Sequence, residues 1–293
     1  MRRTDAASVL EGLATQARPA IMGILNVTPD SFSDGGRFLD HAAAVAHGHA
    51  MRAGGADVID VGGESTRPGA AGVPVSEELG RVLPVIETLA GDGVTISIDT
   101  RREEVARAAV DAGAVLINDV SATLAPVAAE LGVGWIAMHM QGEPRSMQRS
   151  PRYDDVRAEV AAHLVERATA ARDAGVPQVW IDPGFGFGKT FDHNLDLLAH
   201  LDELADCGFP VAVGLSRKST LGELTRRSDG TDEPAPLDDR LEGSVATATY
   251  AMLCGARMVR VHDVKATRQA AAVVSSTPQG PWPAVSEQDQ TAS

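Results

Sequence analysis

The chain has 293 residues, of which 44% are hydrophobic and 23% charged, a balance that suits one large α/β domain with a single core. Its formal net charge of −14 argues against a nucleic-acid or acidic-membrane partner, because either would need a concentrated basic face. No apolar run is long enough to span a membrane, and the first residues lack the apolar core of a secretory signal, so we expect a cytoplasmic protein. Cys207 and Cys254 have no metal-type spacing and are expected to be reduced, buried thiols in helices.

Eight short apolar runs recur along the chain, and each is followed by sequence with helical periodicity. They span residues 20–27, 56–61, 94–98, 114–118, 134–140, 178–182, 210–215 and 258–261. Val156, Val160 and Leu164, for example, repeat every four residues, as the buried face of an outer helix should. Eight such units predict a (β/α)8 TIM barrel. An open doubly wound sheet is less favoured, because no Gly-x-Gly-x-x-Gly motif opens the first strand-to-helix turn.

Two connections at the C-terminal face of this barrel are too long for simple joints. They cover residues 28–39 and 64–75 and are rich in Gly, Pro, Ser and Asp, so we predict two mobile βα loops that act as lids. Residues 228–239 are predicted to be a surface insertion. The domain limits are then an N-terminal extension over 1–18, the barrel over 19–275 and a disordered tail over 276–293.

Polar residues follow the ends of the predicted strands, where the catalytic groups of such barrels gather. They are Asn26, Asp60, Asp99, Asn118, His139, Asp182, Lys218, Arg260 and His262. We therefore expect one convergent site at the barrel mouth.

Three of these residues suit a flat, donor-rich ligand. Thr100 and Glu103 form a predicted capping box, which leaves Asp99 free to face the mouth. Asn118 alone would be read as a turn residue. Together with Asp99 and Asp182, however, it makes a set of acceptors and an amide suited to a heterocycle.

Basic residues at the last strands indicate an anion site. Arg260 and His262 alternate along a strand and so share one face. Lys218 follows the seventh strand, and the adjacent Arg217 is expected to be the surface residue. His139 is expected to be structural rather than a ligand.

The segment 182–190 (DPGFGFGKT) resembles a phosphate-binding P-loop only at its end. Pro183 stands where that motif requires glycine, so a P-loop is excluded. The three glycines either let the backbone approach a flat ligand on which Phe187 stacks, or serve only a tight turn.

Several separated segments carry a resemblance to a known family. They are residues 22–36 (MGILNVTPDSFSDGG), 60–69 (DVGGESTRPG), 182–189 (DPGFGFGK), 216–219 (SRKS) and 260–264 (RVHDV). The chain resembles the bacterial dihydropteroate synthases of the pterin-binding enzyme group over nearly all of residues 21–274. The resemblance implies a cytoplasmic, homodimeric transferase of folate biosynthesis and a sulfonamide target. It would join 6-hydroxymethyl-7,8-dihydropterin pyrophosphate to p-aminobenzoate, giving 7,8-dihydropteroate and pyrophosphate.

The resemblance also implies residue roles. The pterin would be bound by Asp99, Asn118, Asp182, Gly214 and Lys218. The pyrophosphate would be bound by Asn26, Arg67, Arg260 and His262, with Asn26 also a ligand of Mg²⁺. The p-aminobenzoate pocket would be formed by Phe32, Thr66, Arg67, Pro68, Phe187 and Ser219. Asp99, Lys218, Arg260 and His262 would be the catalytic residues.

Two other functions remain open at this point. An inactive pterin-binding paralogue would be expected to lose its pyrophosphate-binding residues first, and none is lost here. A methyltetrahydrofolate-dependent methyltransferase would have no pyrophosphate to hold, so the intact Arg67, Arg260 and His262 count against it.

Overall fold

The computed structural model describes residues 3–28, 41–64, 72–143 and 146–276. Most of the two predicted lids lies outside these residues, as do Phe32, Thr66, Arg67 and Pro68 and nearly all of the predicted C-terminal tail. In the described ranges, no helix has the length and apolar character needed to cross a membrane.

Eight parallel strands form the centre of the molecule, as predicted. They are β1 Ala20–Asn26, β2 Val58–Gly62, β3 Ile96–Asp99, β4 Leu116–Asp119, β5 Gly134–Met138, β6 Val179–Asp182, β7 Ala212–Val213 and β8 Met258–Val261. Each strand pairs with its neighbour in chain order from β1 to β6, and β8 lies between β1 and β7. A bridge between Ile181 and Val211 brings β6 beside β7. The sheet therefore curls into the predicted TIM barrel.

Helices alternate with these strands and surround them. They are α1 Arg3–Thr15, α2 His41–Ala53, α3 Val75–Gly91, α4 Glu103–Asp111, α5 Ala125–Leu131, α6 Val156–Asp173, α7 Phe191–Ala199, α8 Leu201–Ala205, α9 Ser219–Asp229, α10 Leu241–Leu253 and α11 Val264–Ser276. Val156, Val160 and Leu164 of α6 are buried against the sheet, which confirms the predicted four-residue spacing.

The predicted N-terminal extension is a helix that closes the bottom of the barrel. Leu10 and Leu13 of α1 pack on apolar strand residues, among them Met22, Trp180 and Met258. Burying these side chains removes the lower end of the barrel from water. The carboxyl ends of the strands lie at the opposite end.

The α1 helix is also attached by hydrogen bonds to the last strand. The Arg257 guanidinium, just before β8, donates to the carbonyl oxygens of Ala14 at 2.8 Å and Gln16 at 2.7 Å.

Two local predictions were wrong. Cys207 and Cys254 are free thiols, but they lie just after α8 and α10 and are only half-buried, because both helices end one or two residues earlier. The capping box does not form either. Helix α4 begins at Glu103 after Arg102 with no side-chain cap, and the Thr100 hydroxyl donates to Glu78 Oε1 at 2.8 Å instead.

The predicted insertion at 228–239 begins inside α9, which ends at Asp229. Residues 230–234 are exposed, as expected of a surface segment.

Candidate active site

Arg260 on β8 connects two acidic side chains across the upper end of the barrel. Its Nε donates to Asp60 Oδ2 at 2.6 Å and its Nη2 donates to Asp99 Oδ2 at 2.6 Å. Val261, the next residue, is buried among the outer helices instead. Arg260 therefore faces the barrel interior, on the opposite side of the strand from Val261.

Asp60 is the site residue that the sequence did not identify. It was noted among the strand-end residues but received no role in binding. The side chain is fully buried in β2, and its Oδ2 also accepts a hydrogen bond from Asn118 Nδ2 at 2.9 Å. Asp60 thus holds two of the predicted site residues at once. A carboxylate inside an otherwise apolar strand was the available signal, since a buried charge requires partners.

Asn26, at the end of β1, points to the same space as Asp99. A Cβ placed on Gly62 would lie 3.8 Å from Asn26 Oδ1 and 3.5 Å from Asp99 Cβ. The lack of a side chain at Gly62 leaves room beside both residues.

Asp182 and Lys218 form the opposite side of the site. Asp182 Oδ1 accepts a hydrogen bond from Gly184 N at 2.7 Å. Lys218 donates to the Phe185 carbonyl oxygen, and its Nζ lies 4.7 Å from the centre of the Phe187 ring. Gly214 lies between the two sides, because a Cβ there would be 3.8 Å from Arg260 Cβ and 4.0 Å from Asp182 Oδ2.

Burial changes the protonation of these groups. It raises the pKa of Asp99 to about 7, against the opposing charge of Arg260. It also raises the pKa of Asp182, which the charge of Lys218 opposes. Burial lowers the pKa of Lys218 to about 8, although Asp182 works in the other direction. The pKa values of Asp99 and Lys218 are therefore both shifted toward neutral pH, as is common in active sites.

His262 lies at the edge of this pocket. Its Nδ1 is 3.0 Å from Ser216 Oγ, which also accepts a hydrogen bond from the His262 backbone N–H at 3.2 Å. Ser219 is the first residue of α9 and is exposed. Arg217 points away from the site and forms an ion pair with Asp263 at 2.6 Å. Of the two adjacent basic residues, Lys218 is therefore the one that enters the site.

The glycines after β6 mainly serve a tight turn. Gly184 and Gly188 have φ angles of +66° and +64°, and a Cβ on them would lie 1.9 Å from the His139 oxygen and 2.2 Å from the Gln141 oxygen. Only glycine allows this approach of two backbone segments. Gly186, by contrast, faces Lys218, whose Cδ would be 3.5 Å from a Cβ. His139 is buried below this turn, as predicted for a structural histidine.

Comparison with known proteins places the chain in a family. The family model described as "Pterin binding enzyme" matches residues 22–262, and the chain belongs to this family. The dihydropteroate synthase of Escherichia coli K12 is 47% identical over 268 residues, which cover 89% of this chain and 92% of that protein. The dihydropteroate synthase of Neisseria meningitidis serogroup C is 49% identical over 263 residues, with coverages of 86% and 90%.

Solved structures of related enzymes agree. Xanthomonas albilineans dihydropteroate synthase with 4-aminobenzoic acid is 50% identical, has a TM-score of 0.81, and the alignment covers 90% of this chain and 94% of that one. A structure of that enzyme with 7,8-dihydropteroate is 47% identical, with a TM-score of 0.78 and coverages of 90% and 95%. The expected fold and family are confirmed.

Proposed function

We propose that this protein catalyses the dihydropteroate synthase reaction, in which p-aminobenzoate displaces pyrophosphate from 6-hydroxymethyl-7,8-dihydropterin pyrophosphate. The convergence of Asp99, Asn118, Asp182, Lys218 and Arg260 at one barrel mouth is the observation that carries this proposal. The chain shares its fold and about half its residues with enzymes of that name.

The pocket has the donors and acceptors that a pterin requires. The amino group and ring N–H of a pterin are hydrogen-bond donors. The Asp182 carboxylate and the Asn118 amide oxygen can accept hydrogen bonds from them. Lys218 supplies a donor for the ring acceptors from the other side of the pocket. Asp182 and Asn118 are both buried, so their hydrogen bonds to a ligand would be strong.

The reaction breaks the bond between the pterin CH₂ carbon and the pyrophosphate oxygen. An electron-rich pterin stabilises the positive charge left on this carbon, so no protein nucleophile is required. The Asp99 carboxylate stabilises the cationic ring, and Arg260 and His262 stabilise charge that develops on the leaving group. The amine nitrogen of p-aminobenzoate then bonds to the carbon and loses a proton.

Asn26 is the residue that we propose as a ligand of Mg²⁺. Its amide oxygen is an oxygen ligand of the kind that Mg²⁺ prefers, and the open space beside Gly62 leaves room for an ion next to it. Bound there together with the pyrophosphate oxygens, the ion would neutralise charge on the leaving group. Arg67, the other predicted pyrophosphate residue, lies outside the described residues.

Phe187 and Ser219 are the described residues that we propose for the p-aminobenzoate pocket. Phe187 lies beside Lys218, so its ring is close to the pterin-binding side of the site. The remaining predicted members, Phe32, Thr66, Arg67 and Pro68, belong to segments outside the described residues.

A direct assay tests the function. Purified protein is incubated with dihydropterin pyrophosphate, p-aminobenzoate and Mg²⁺, and dihydropteroate and pyrophosphate are measured with an EDTA control. Equal amounts of both products, lost with EDTA, are expected. Folded protein that binds dihydropteroate but forms neither product would instead identify an inactive paralogue.

We also propose that the protein is a cytoplasmic homodimer and is inhibited by sulfonamides that compete with p-aminobenzoate. Tyr250 and Leu253 on α10 and Val273 on α11 are large apolar residues with exposures of 44%, 50% and 64%. Such a surface on two adjacent helices suits a second copy of the chain. Light scattering after gel filtration should give the mass of a dimer, and charged substitutions at Leu253 and Val273 should give that of a monomer.

A further inference from the structure

Lys189 is a buried lysine that the proposed reaction does not use. It is 2% exposed and comes directly after the glycine-rich turn that follows β6. Its Nζ lies 2.9 Å from His139 Nδ1, and it donates to the carbonyl oxygens of Gly184 at 3.0 Å and Phe187 at 3.1 Å. An ammonium group has three N–H donors, and these three partners, together with the more distant His139 carbonyl oxygen at 3.4 Å, satisfy all of them.

This arrangement requires His139 to be neutral. The Nδ1 atom must accept a hydrogen bond from Lys189, which places the imidazole proton on Nε2. Burial, and then the charge of Lys189, lower the pKa of His139 to about 3, which is consistent with a neutral ring. Burial also lowers the pKa of Lys189 itself to about 7, against the opposing charge of Asp182.

Lys189 thereby fixes the turn 183–188 at both of its ends. Gly184 and Phe187 lie at either side of this turn, and both carbonyl groups point at the same nitrogen. The turn has further supports: Tyr153 donates to the Gly188 oxygen at 2.8 Å, and Gly186 N donates to Asn194 Oδ1 at 2.7 Å. The ammonium lies below the turn, against His139 of the preceding loop.

The upper surface of the same turn is a wall of the site. The Phe185 carbonyl oxygen accepts the hydrogen bond from Lys218, and the Phe187 ring lies against the Lys218 ammonium. The Gly184 N–H donates to Asp182. Lys189 contacts the backbone of the turn on one side, and the residues proposed to bind substrate contact the same turn on its other side.

We propose that Lys189 is a positioning residue for Lys218 and Phe187: its ammonium group holds the turn in the shape that places these two side chains for substrate. This inference deepens the proposed function and rests on it for the identity of the substrates. Lys189 itself does not contact substrate.

The lysine content of the chain makes a selective test possible. Lys189, Lys218 and Lys265 are its only lysines, so protein labelled with ¹³C at the lysine Cε gives three side-chain signals. Lys189→Met removes the ammonium and keeps an unbranched side chain. Lys265→Met is the matched control, since Lys265 is exposed on α11, and the two variants also assign the three signals.

In folded Lys189→Met we expect the Lys218 signal to move and the Kd for 7,8-dihydropteroate to rise about 10-fold or more, because three buried acceptors lose their donor. We expect the KM values for both substrates to rise as well. Lys265→Met should leave all of these at their wild-type values. If Lys189 had a purely structural role, the variant would contain less folded enzyme and show a lower apparent kcat, while the KM values and the Lys218 signal would stay unchanged. That result would overturn the proposal.

If Lys189→Met does not fold, His139→Gln provides the second test. It replaces one of the three acceptors, and we expect a smaller change of the same direction in the Lys218 signal and in the Kd. No change in either would also overturn the proposal. The NMR readout does not depend on turnover, so a wild-type protein that forms no product would contradict the proposed function and still leave the positioning role measurable.

Discussion

Asp99 and Arg260 form an ion pair across the barrel mouth, with Arg260 Nη2 lying 2.6 Å from Asp99 Oδ2. Burial raises the pKa of Asp99 to about 7 even though the charge of Arg260 opposes it. The Asp99 carboxyl is therefore only partly ionised at neutral pH.

This leads to a prediction for the pH dependence of catalysis. In the reaction proposed above, the ionised form of Asp99 stabilises a cationic pterin, and this form is lost as the pH falls through about 7. We expect kcat/KM for the pterin substrate to decrease below that pH with a slope of one. Asp99→Asn should be about 100-fold less active or worse, since it removes a charge from a preorganised site. Its remaining activity should lack this titration; the same inflection in the variant would assign it to another group.

A second prediction concerns stability. Arg260→Ala leaves the buried Asp60 and Asp99 without their cation, which costs about 3–5 kcal/mol when one partner of a buried pair is removed. In wild type the folded protein takes up a proton on Asp99 as the pH falls through about 7, where the unfolded chain does not. Without the opposing charge of Arg260 the pKa of Asp99 is higher still, so the folded variant takes up this proton at a higher pH. The difference in stability from wild type should therefore shrink as the pH falls from 9 to about 7 and stay nearly constant below that.

Urea unfolding of wild type and variant at pH 6, 7, 8 and 9 measures this difference. Arg217→Ala is the control, because it breaks the more exposed pair with Asp263. It should cost about 1 kcal/mol or less, with little change over this range. A loss for Arg260→Ala that is the same at pH 9 and at pH 7 would contradict the account of Asp99.

A third prediction concerns pterin binding. Lys218→Ala and Asp182→Ala should each abolish detectable binding of dihydropteroate, because removing a buried charged partner costs about 2–5 kcal/mol, or about 30-fold and more in affinity. Isothermal titration calorimetry measures the affinity, and Lys265→Ala on the exposed face of α11 is the control. Wild-type affinity in both site variants would show that the pterin is bound elsewhere.

A fourth prediction concerns Asp60. Asp60→Asn keeps the shape of the side chain but removes its negative charge. The carboxylate that pairs with Arg260 and accepts a hydrogen bond from Asn118 is thereby lost. We expect kcat/KM to fall about 10-fold to 100-fold, which corresponds to the 1–3 kcal/mol cost of a poorly satisfied buried group. Steady-state kinetics, with circular dichroism to check folding, gives the value. Unchanged kinetics would mean that Arg260 is held sufficiently by Asp99 alone.

The barrel was predictable from the sequence because its strands are short apolar runs and its helices have buried stripes with regular spacing. The two-residue period of a strand placed Arg260 opposite Val261, although it did not say which of them faces the barrel interior. Asp99 and Asp182 do end the strands on which they were placed.

Other features depend on contacts between distant residues, which no local pattern reports. Asp60 matters because Arg260, 200 residues away, reaches it across the barrel. Thr100 has the spacing of a capping box, but a buried Glu78 on another helix takes its hydroxyl. Lys189 likewise satisfies its ammonium with His139, 50 residues earlier. In each case the tertiary partner determines the role of the residue.

The attachment of α1 to the last strand has a consequence for the synthesis of the chain. Arg257 and Ala14 are separated by 243 residues, so the first helix leaves the ribosome long before its partner exists. Until β8 has been made, Leu10 and Leu13 lack part of the surface on which they are buried. Contacts between such distant segments form slowly, and exposed apolar groups promote aggregation in the meantime. A chain that stops before Arg257 should therefore fail to fold and require chaperones, even though the residues proposed to bind the pterin are already present.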